Sequence, residues 1–192
     1  PAAHNLDDYA NRVRELLAGG DEPVVLVGHS LGGLVVAAVA ETHPERLRRL
    51  VFLTAFLPRD GDSLVRICSA DPANPMNAAS VRTPDGKCVT VDPARLQALF
   101  YADCPRDDVD FAATHVGPEP IAVMFQGVNV TPERFGRVPR AYIRCSRDVL
   151  NFQHFAVLLL HEDTNRLELV ISEGLSPAAE QYELFAGTEG NG

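Results

Sequence analysis

The chain has 192 residues, 46% hydrophobic and 22% charged, the balance of a globular protein rather than of a disordered segment. Seventeen Lys and Arg against 26 Asp and Glu leave a formal charge of -9 at pH 7. That charge repels phosphate backbones and anionic lipid headgroups and argues against a nucleic-acid or membrane-surface role. A single domain of this size buries about 70% of its unfolded surface, so a core needs no metal or disulfide to hold it. The cysteines, Cys68, Cys88, Cys104 and Cys145, stand singly, with no CxxC pair and no histidine at metal-ligand spacing, which predicts no zinc site and a reducing, cytoplasmic setting. The longest apolar run, Leu31 to Ala40, is too short to cross a bilayer.

In chain order, Asn5-Leu6-Asp7-Asp8 followed by Tyr9, Val13, Leu16 and Leu17 predicts an amphipathic helix with a polar cap and acidic first turn, closed at Gly19-Gly20. Pro23 to Val27 is a short β-branched apolar run, the pattern of a strand buried on both faces. After a tight turn, Leu34 to Glu41 reads as a helix stopped by His43-Pro44, and Leu50 to Thr54 as the next buried strand. This β-α-β alternation predicts an α/β class with a mostly parallel sheet.

From residue 58 to residue 139 the pattern changes to proline-marked turns and short helices, read as an inserted helical cap between core segments 1–57 and 140–187, with 188–192 a frayed tail. Inside it, Pro84-Asp85-Gly86 between alternating runs over Val81 to Val91 predicts a hairpin. Asp92-Pro93 opens a helix with Leu96, Leu99 and Phe100 on one side, and Pro105 to Ala113 reads as a second. Core patterning resumes with a strand at Ala141 to Cys145, a helix near Phe152 to Leu160, a last strand at Leu167 to Ile171 and a terminal helix near Pro177 to Phe185.

The sharpest chemical signal is Gly28-His29-Ser30-Leu31-Gly32-Gly33, placed where the first buried strand turns into a helix. Such a nucleophile elbow holds a serine in a strained conformation with its hydroxyl exposed, and the flanking Gly28 and Gly32 avoid a Cβ clash at the strand-to-helix crossing. The helix N-terminus directs backbone N–H groups at the same place, making the Leu31 N–H an oxyanion donor. A glycine-rich turn that binds an anion, or nothing, is the plain structural alternative.

Val24 to Gly33, Pro44 to Leu47 with the strand after them, Phe100-Tyr101-Ala102-Asp103-Cys104, and Thr131 to Ile143 together resemble the α/β-hydrolase fold. More narrowly they resemble the plant methylesterase and hydroxynitrile lyase group and its bacterial homologues. The resemblance implies a Ser, acid, His triad in that chain order, a capped pocket for a small ester or apolar ligand, and no cofactor or metal. It places the acid at Asp148, which also reads as a helix-capping carboxylate, and puts Tyr101, Asp103 and Phe125 near the substrate, with Met124 and Phe56 as further apolar lining. Cap packing is the plain alternative for each of these.

Two departures stand out. Where the resemblance implies a small-His-Ser-Pro loop, the chain reads Glu173-Gly174-Leu175-Ser176-Pro177, with an aliphatic side chain in the place of the base. His29, His43, His115, His154 and His161 are the other histidines weighed for that role; His29 lies on the wrong side of the elbow and His43 closes a helix. The resemblance also implies strands ahead of Val24, one followed by a second oxyanion donor, that these residues do not contain. The Val24 strand then has an unpaired apolar edge, to be covered by a longer chain, a partner or second copy, or a rearranged sheet. The resulting expectation is an ancestral serine esterase, weak or inactive as written. Its alternatives are a degenerate hydrolase serving as a ligand-binding or assembly subunit, or a lyase or cyclase using the same pocket.

Overall fold

The computed structural model describes residues 4–70, 76–143, 155–161, 166–173 and 184–185. Helix α1 (Leu6–Leu17) starts on Asn5, whose side chain accepts from the Asp8 N–H while the Asp8 carboxylate accepts from the Asn5 N–H. The sequence predicts the Asn5 cap and the acidic first turn; the structure adds the reciprocal bond from Asp8. Its buried face, Leu6, Tyr9, Ala10, Val13 and Leu17, follows the helical spacing. Strand β1 (Val24–Ser30) leads directly into α2 (Gly32–Thr42), and a 3-10 turn at Pro44–Arg46 leads into β2 (Leu47–Ala55). Every residue of α2 from Gly32 to Ala40 is buried, as an apolar surface on all sides requires. It lies between α1 on one side and the sheet on the other.

Between β2 and β6 (Arg140–Ile143) come α3 (Leu64–Ser69), α4 (Met76–Ala79), the strands β3 (Ser80–Arg82), β4 (Cys88–Val91) and β5 (Glu119–Pro120), α5 (Pro93–Phe100), α6 (Arg106–His115) and α7 (Ile121–Phe125). The predicted hairpin is β3 paired antiparallel with β4, and β5 extends it to a small three-stranded sheet. The two predicted cap helices are α5 and α6. A small cluster of Ala79, Val91 and Leu96 holds α5 to the hairpin, while Leu64, Val123, Val128, Val130, Phe135 and Val138 join the main core.

The main sheet has six strands in the order β6-β2-β1-β7-β8-β9, with β7 at Phe155–His161, β8 at Arg166–Glu173 and β9 at Leu184–Phe185. Strands β6, β2 and β1 are parallel, and the β7–β8 hairpin adds to β1 in the antiparallel sense. Three expectations change here. The helix expected near Phe152 to Leu160 is a strand from Phe155 onward. An apolar run of this kind fits a buried helix or a buried strand equally by pattern, and the free hydrogen-bonding edge of β1 decides for the strand. The edge expected to be unpaired is therefore occupied by this chain itself, with Val25 opposite Leu160 and Gly28 opposite Val157. Of the helix expected over Pro177 to Phe185, Leu184 and Phe185 instead pair with β8, and the rest lies outside the described residues.

The central strands also differ from the pattern of burial on both faces. Leu26, Leu50 and Phe52 are fully buried on the face covered by α2, whereas Val25, Val27, Val51 and Leu53, alternating with them, are half-buried. A strand's side chains alternate between faces, and α1 and α2 stack on one of them. Among the described residues no helix is long and apolar enough to cross a membrane.

The segment that returns to β6 is fastened to the far end of α2. The Glu41 carboxylate accepts from the Thr131 N–H and hydroxyl, both at 2.7 Å, and from the Phe135 N–H at 3.2 Å. Arg134 donates to the carbonyls of Glu41 and Thr42. Phe135 meets Phe52 edge-on at 6.5 Å, and the Arg140 guanidinium lies 4.3 Å over its ring.

Candidate active site

Ser30 ends β1 with φ at 51°, in the left-handed region that a side chain with a Cβ seldom adopts. The crossing into α2 explains why glycines stand around it. A Cβ on Gly28 would come within 2.7 Å of the Gly32 carbonyl oxygen, and one on Gly33 within 2.1 Å of the Phe56 carbonyl oxygen. Both obstacles are backbone atoms, which have little freedom to give way. The spacing around Ser30 points to Gly28 and Gly32 and leaves Gly33 unmarked. Its role comes from the loop after β2, which the elbow's own sequence does not reveal.

Leu31 precedes the first turn of α2, and its side chain supplies no cap. The first N–H groups of a helix have no acceptor within it, and the Leu31 N–H has no backbone acceptor among the described residues. The positive end of the α2 dipole thus sits at Ser30, a setting that favours negative charge on a bound group.

The wall over the elbow comes from β2. Registers run from His29 opposite Leu53 to Ser30 opposite Ala55, so Thr54 is an extra residue, a bulge, at the level of the elbow. Thr54 is buried and also left-handed, with φ at 47°. A β-branched residue there is a genuine outlier, costing about 1–3 kcal/mol that the surrounding contacts must offset. Beyond it, the Phe56 N–H donates to the Ser30 carbonyl at 3.0 Å. Ser30 is 2% exposed, in contrast to the openly exposed hydroxyl that the elbow pattern predicts. Past the bulge, Ala55 pairs with Ser30 and the Phe56 N–H continues the ladder.

His29, next to Ser30 on β1, is half-buried, and burial lowers its imidazole below the ordinary range, which favours the neutral ring. His43 and His115 are each bonded within their own segment, His43 Nδ1 to the Thr42 hydroxyl at 3.0 Å and His115 Nδ1 to Thr114 and the Phe111 carbonyl. The His115 ring also stacks on Phe111 at 3.8 Å. His161 lies on β7 rather than on a helix. Asp148, His154 and Leu175 lie outside the described residues.

Tyr101 packs against the small cluster of Ala79, Val91 and Leu96; burial, and then the Cys104 thiol beside it, push its phenol above the ordinary range. Asp103 is exposed, Phe125 is 56% exposed, and Met124 and Phe56 pack on the main core. The geometry thus brings Ser30, Leu31, Gly28, Gly32 and Gly33 together with Phe56 and Thr54, and sets Tyr101 in a separate small core. Thr54 and Phe56 have no signature in the sequence that marks them as elbow residues.

The model of a family described as the alpha/beta hydrolase family matches residues 1–187. The chain belongs to that family. Among its relatives, polyneuridine aldehyde esterase of Rauvolfia serpentina is 29% identical over 160 residues, covering 76% of this chain and 60% of the relative. Methyl jasmonate esterase 1 of Vitis vinifera is 31% identical over 163 residues, with the same coverage of 76% and 60%. A crystal structure of a polyneuridine aldehyde esterase mutant superposes with a TM-score of 0.61 at 28% identity, over 76% of this chain and 62% of that one. A variant of tomato methylketone synthase I complexed with beta-ketoheptanoate superposes at 0.63 and 26% identity, over 75% of this chain and 60% of that one. The chain thus spans about 60% of the length of these relatives.

Proposed function

We propose that this α/β hydrolase acts, or descends from proteins that acted, on small carboxylic esters through an acyl-enzyme on Ser30. Asp148 is the acid that orients the base, the Leu31 N–H is the oxyanion donor, and Leu175 stands where the base belongs. The observation that carries this reading is the elbow: a buried serine at φ 51°, at the positive end of α2, between glycines where an added Cβ would run into backbone atoms. Similarity to plant esterases supports the ester class. In such a step the Ser30 oxygen adds to the ester carbonyl, the base takes the hydroxyl proton and returns it to the departing alcohol, and water then releases the acid. With leucine in place of that base the chain turns over weakly or not at all. Tyr101, Asp103 and Phe125 are assigned to the substrate side on the family resemblance, the partner is a small ester or apolar ligand, and the setting is the cytoplasm.

The test is reaction of the purified chain with a fluorophosphonate probe, followed by intact mass and mapping of the modified residue. Slow labelling at Ser30 is expected, with negligible turnover of a p-nitrophenyl ester. Leu175→His is expected to raise the labelling rate by about 100-fold, the scale of a general base. Rapid ester turnover with Leu175 unchanged would overturn the inactive part of the reading. No labelling of either form would sink Ser30 as nucleophile and favour a ligand-binding subunit, the reading to which Leu175 itself points.

A further inference from the structure

Tyr142, on the edge strand β6, is half-exposed, yet its hydroxyl donates to the Ala55 carbonyl at 3.0 Å. The Ala55 carbonyl and the Phe56 N–H are the two ends of one peptide group, and that N–H donates to the Ser30 carbonyl at 3.0 Å. The Ser30 carbonyl and the Leu31 N–H are in turn the two ends of the next peptide group. Two peptide planes in series therefore join the Tyr142 hydroxyl to the Leu31 N–H, which points out of the start of α2 with no backbone acceptor among the described residues. Thr54 keeps the first plane in place: its left-handed backbone takes Thr54 itself out of the ladder and brings Ala55 opposite Ser30, and its hydroxyl donates to the Ile143 carbonyl at 3.5 Å.

We infer that Tyr142 is a positioning residue for the oxyanion donor, acting through the Ala55–Phe56 and Ser30–Leu31 peptides. This rests on the reading of Ser30 and Leu31 just given. A peptide whose carbonyl accepts a hydrogen bond is polarised, so its N–H becomes a stronger donor, and successive bonds reinforce one another by about 10–30% each. The arrangement also fixes orientation. An oxyanion donor works because it is aimed before charge develops, and both planes are held from outside the site by one hydroxyl. Neither effect needs Tyr142 to touch the substrate.

The variant is Tyr142→Phe, which keeps the ring at a half-exposed position and removes only the hydroxyl. Two readouts are taken on the whole chain: the amide proton shifts of Phe56 and Leu31 in 15N-labelled protein, and the rate of fluorophosphonate labelling at Ser30. The expected result is an upfield move of both amide protons, an unchanged melting temperature and labelling slowed about 2- to 5-fold, the fraction of a donor's effect that polarisation carries. Unmoved amide shifts overturn the relay whatever the labelling does. Moved shifts with an unchanged labelling rate overturn its part in the chemistry. Moved shifts on a parent chain that does not label retain the relay and sink instead the reading of Ser30 as a reactive nucleophile.

Discussion

Against α2 the sheet buries Leu26, Leu50 and Phe52 together with Leu34, Val35, Val36 and Val39, each at 1% exposure or less. The hairpin β3–β4 and α5, by contrast, close their cluster on Ala79, Val91 and Leu96, with Leu99, Phe100 and Tyr101 only partly buried around it. The first region is built from contiguous apolar runs, the second from single apolar residues on otherwise polar segments. The strained residues, Ser30 and Thr54, both belong to the first. A left-handed backbone persists where dense packing over-determines it, and a cluster as small as the second offers no such excess.

Core truncation tests this contrast most strongly. Leu34→Ala is expected to cost about 3–5 kcal/mol in denaturant unfolding, because its site has no freedom to collapse. Leu96→Ala is expected at about 2 kcal/mol, the low end for this change, since its half-exposed neighbours can relax toward it. Equal costs would mean that the cluster around Leu96 is as tightly packed as the α2 core.

Added methyl groups sharpen it next. Gly33→Ala drives a Cβ into the Phe56 carbonyl and is expected to destabilise by about 3 kcal/mol and to abolish labelling at Ser30. Gly86→Ala meets nothing within 4 Å and suffers only from a φ of 69°, a penalty of about 1 kcal/mol. A Gly33→Ala chain that still labels would show that the loop after β2 moves freely, against the wall described over the elbow.

An effect as small as that of Gly86→Ala is expected at the seam between the regions. Burial pushes the Glu41 carboxyl up, but the hydrogen bonds from Thr131 and Phe135 and the charge of Arg134 outweigh it and hold it below its ordinary value of 4.5. A group with a lowered folded-state value stabilises above its unfolded value and loses that contribution as pH falls through the folded one. Glu41→Gln is therefore expected to cost about 1 kcal/mol at pH 7, and the gap to the parent is expected to narrow as pH drops below 4.5. A gap independent of pH from 7 to 3 would show that the carboxylate charge does not fasten residues 131–135 to α2.

The Asn5 cap with its acidic first turn, the β1–α2–β2 order, the hairpin around Pro84-Asp85-Gly86 and the helix starting at Pro93 were all legible, because each is written in neighbouring residues. Family membership was legible from the elbow and the strands around it. The segment Phe155–His161 was misread as helical because six apolar residues in a row carry no periodicity to separate helix from strand. Within the candidate site, Ser30, Leu31, Gly28 and Gly32 were recognisable from spacing, whereas Gly33, Thr54, Phe56 and Tyr142 acquire their roles from chain segments more than 20 residues away.

By itself the sequence determined the local geometry only where its pattern is periodic or capped: the first helix, the β1–α2–β2 run, the hairpin and the helix after it, and the serine on a strained turn. Local propensity, capping and apolar periodicity act over a few residues, so they are present in the order of the letters. Only the tertiary structure decided what covers the free edge of β1, which face of the sheet α1 and α2 close, and how Tyr142 is joined to the elbow through two peptide groups. Edges, faces and backbone hydrogen bonds belong to no side chain in particular, and their pairing is settled by which distant segment satisfies them.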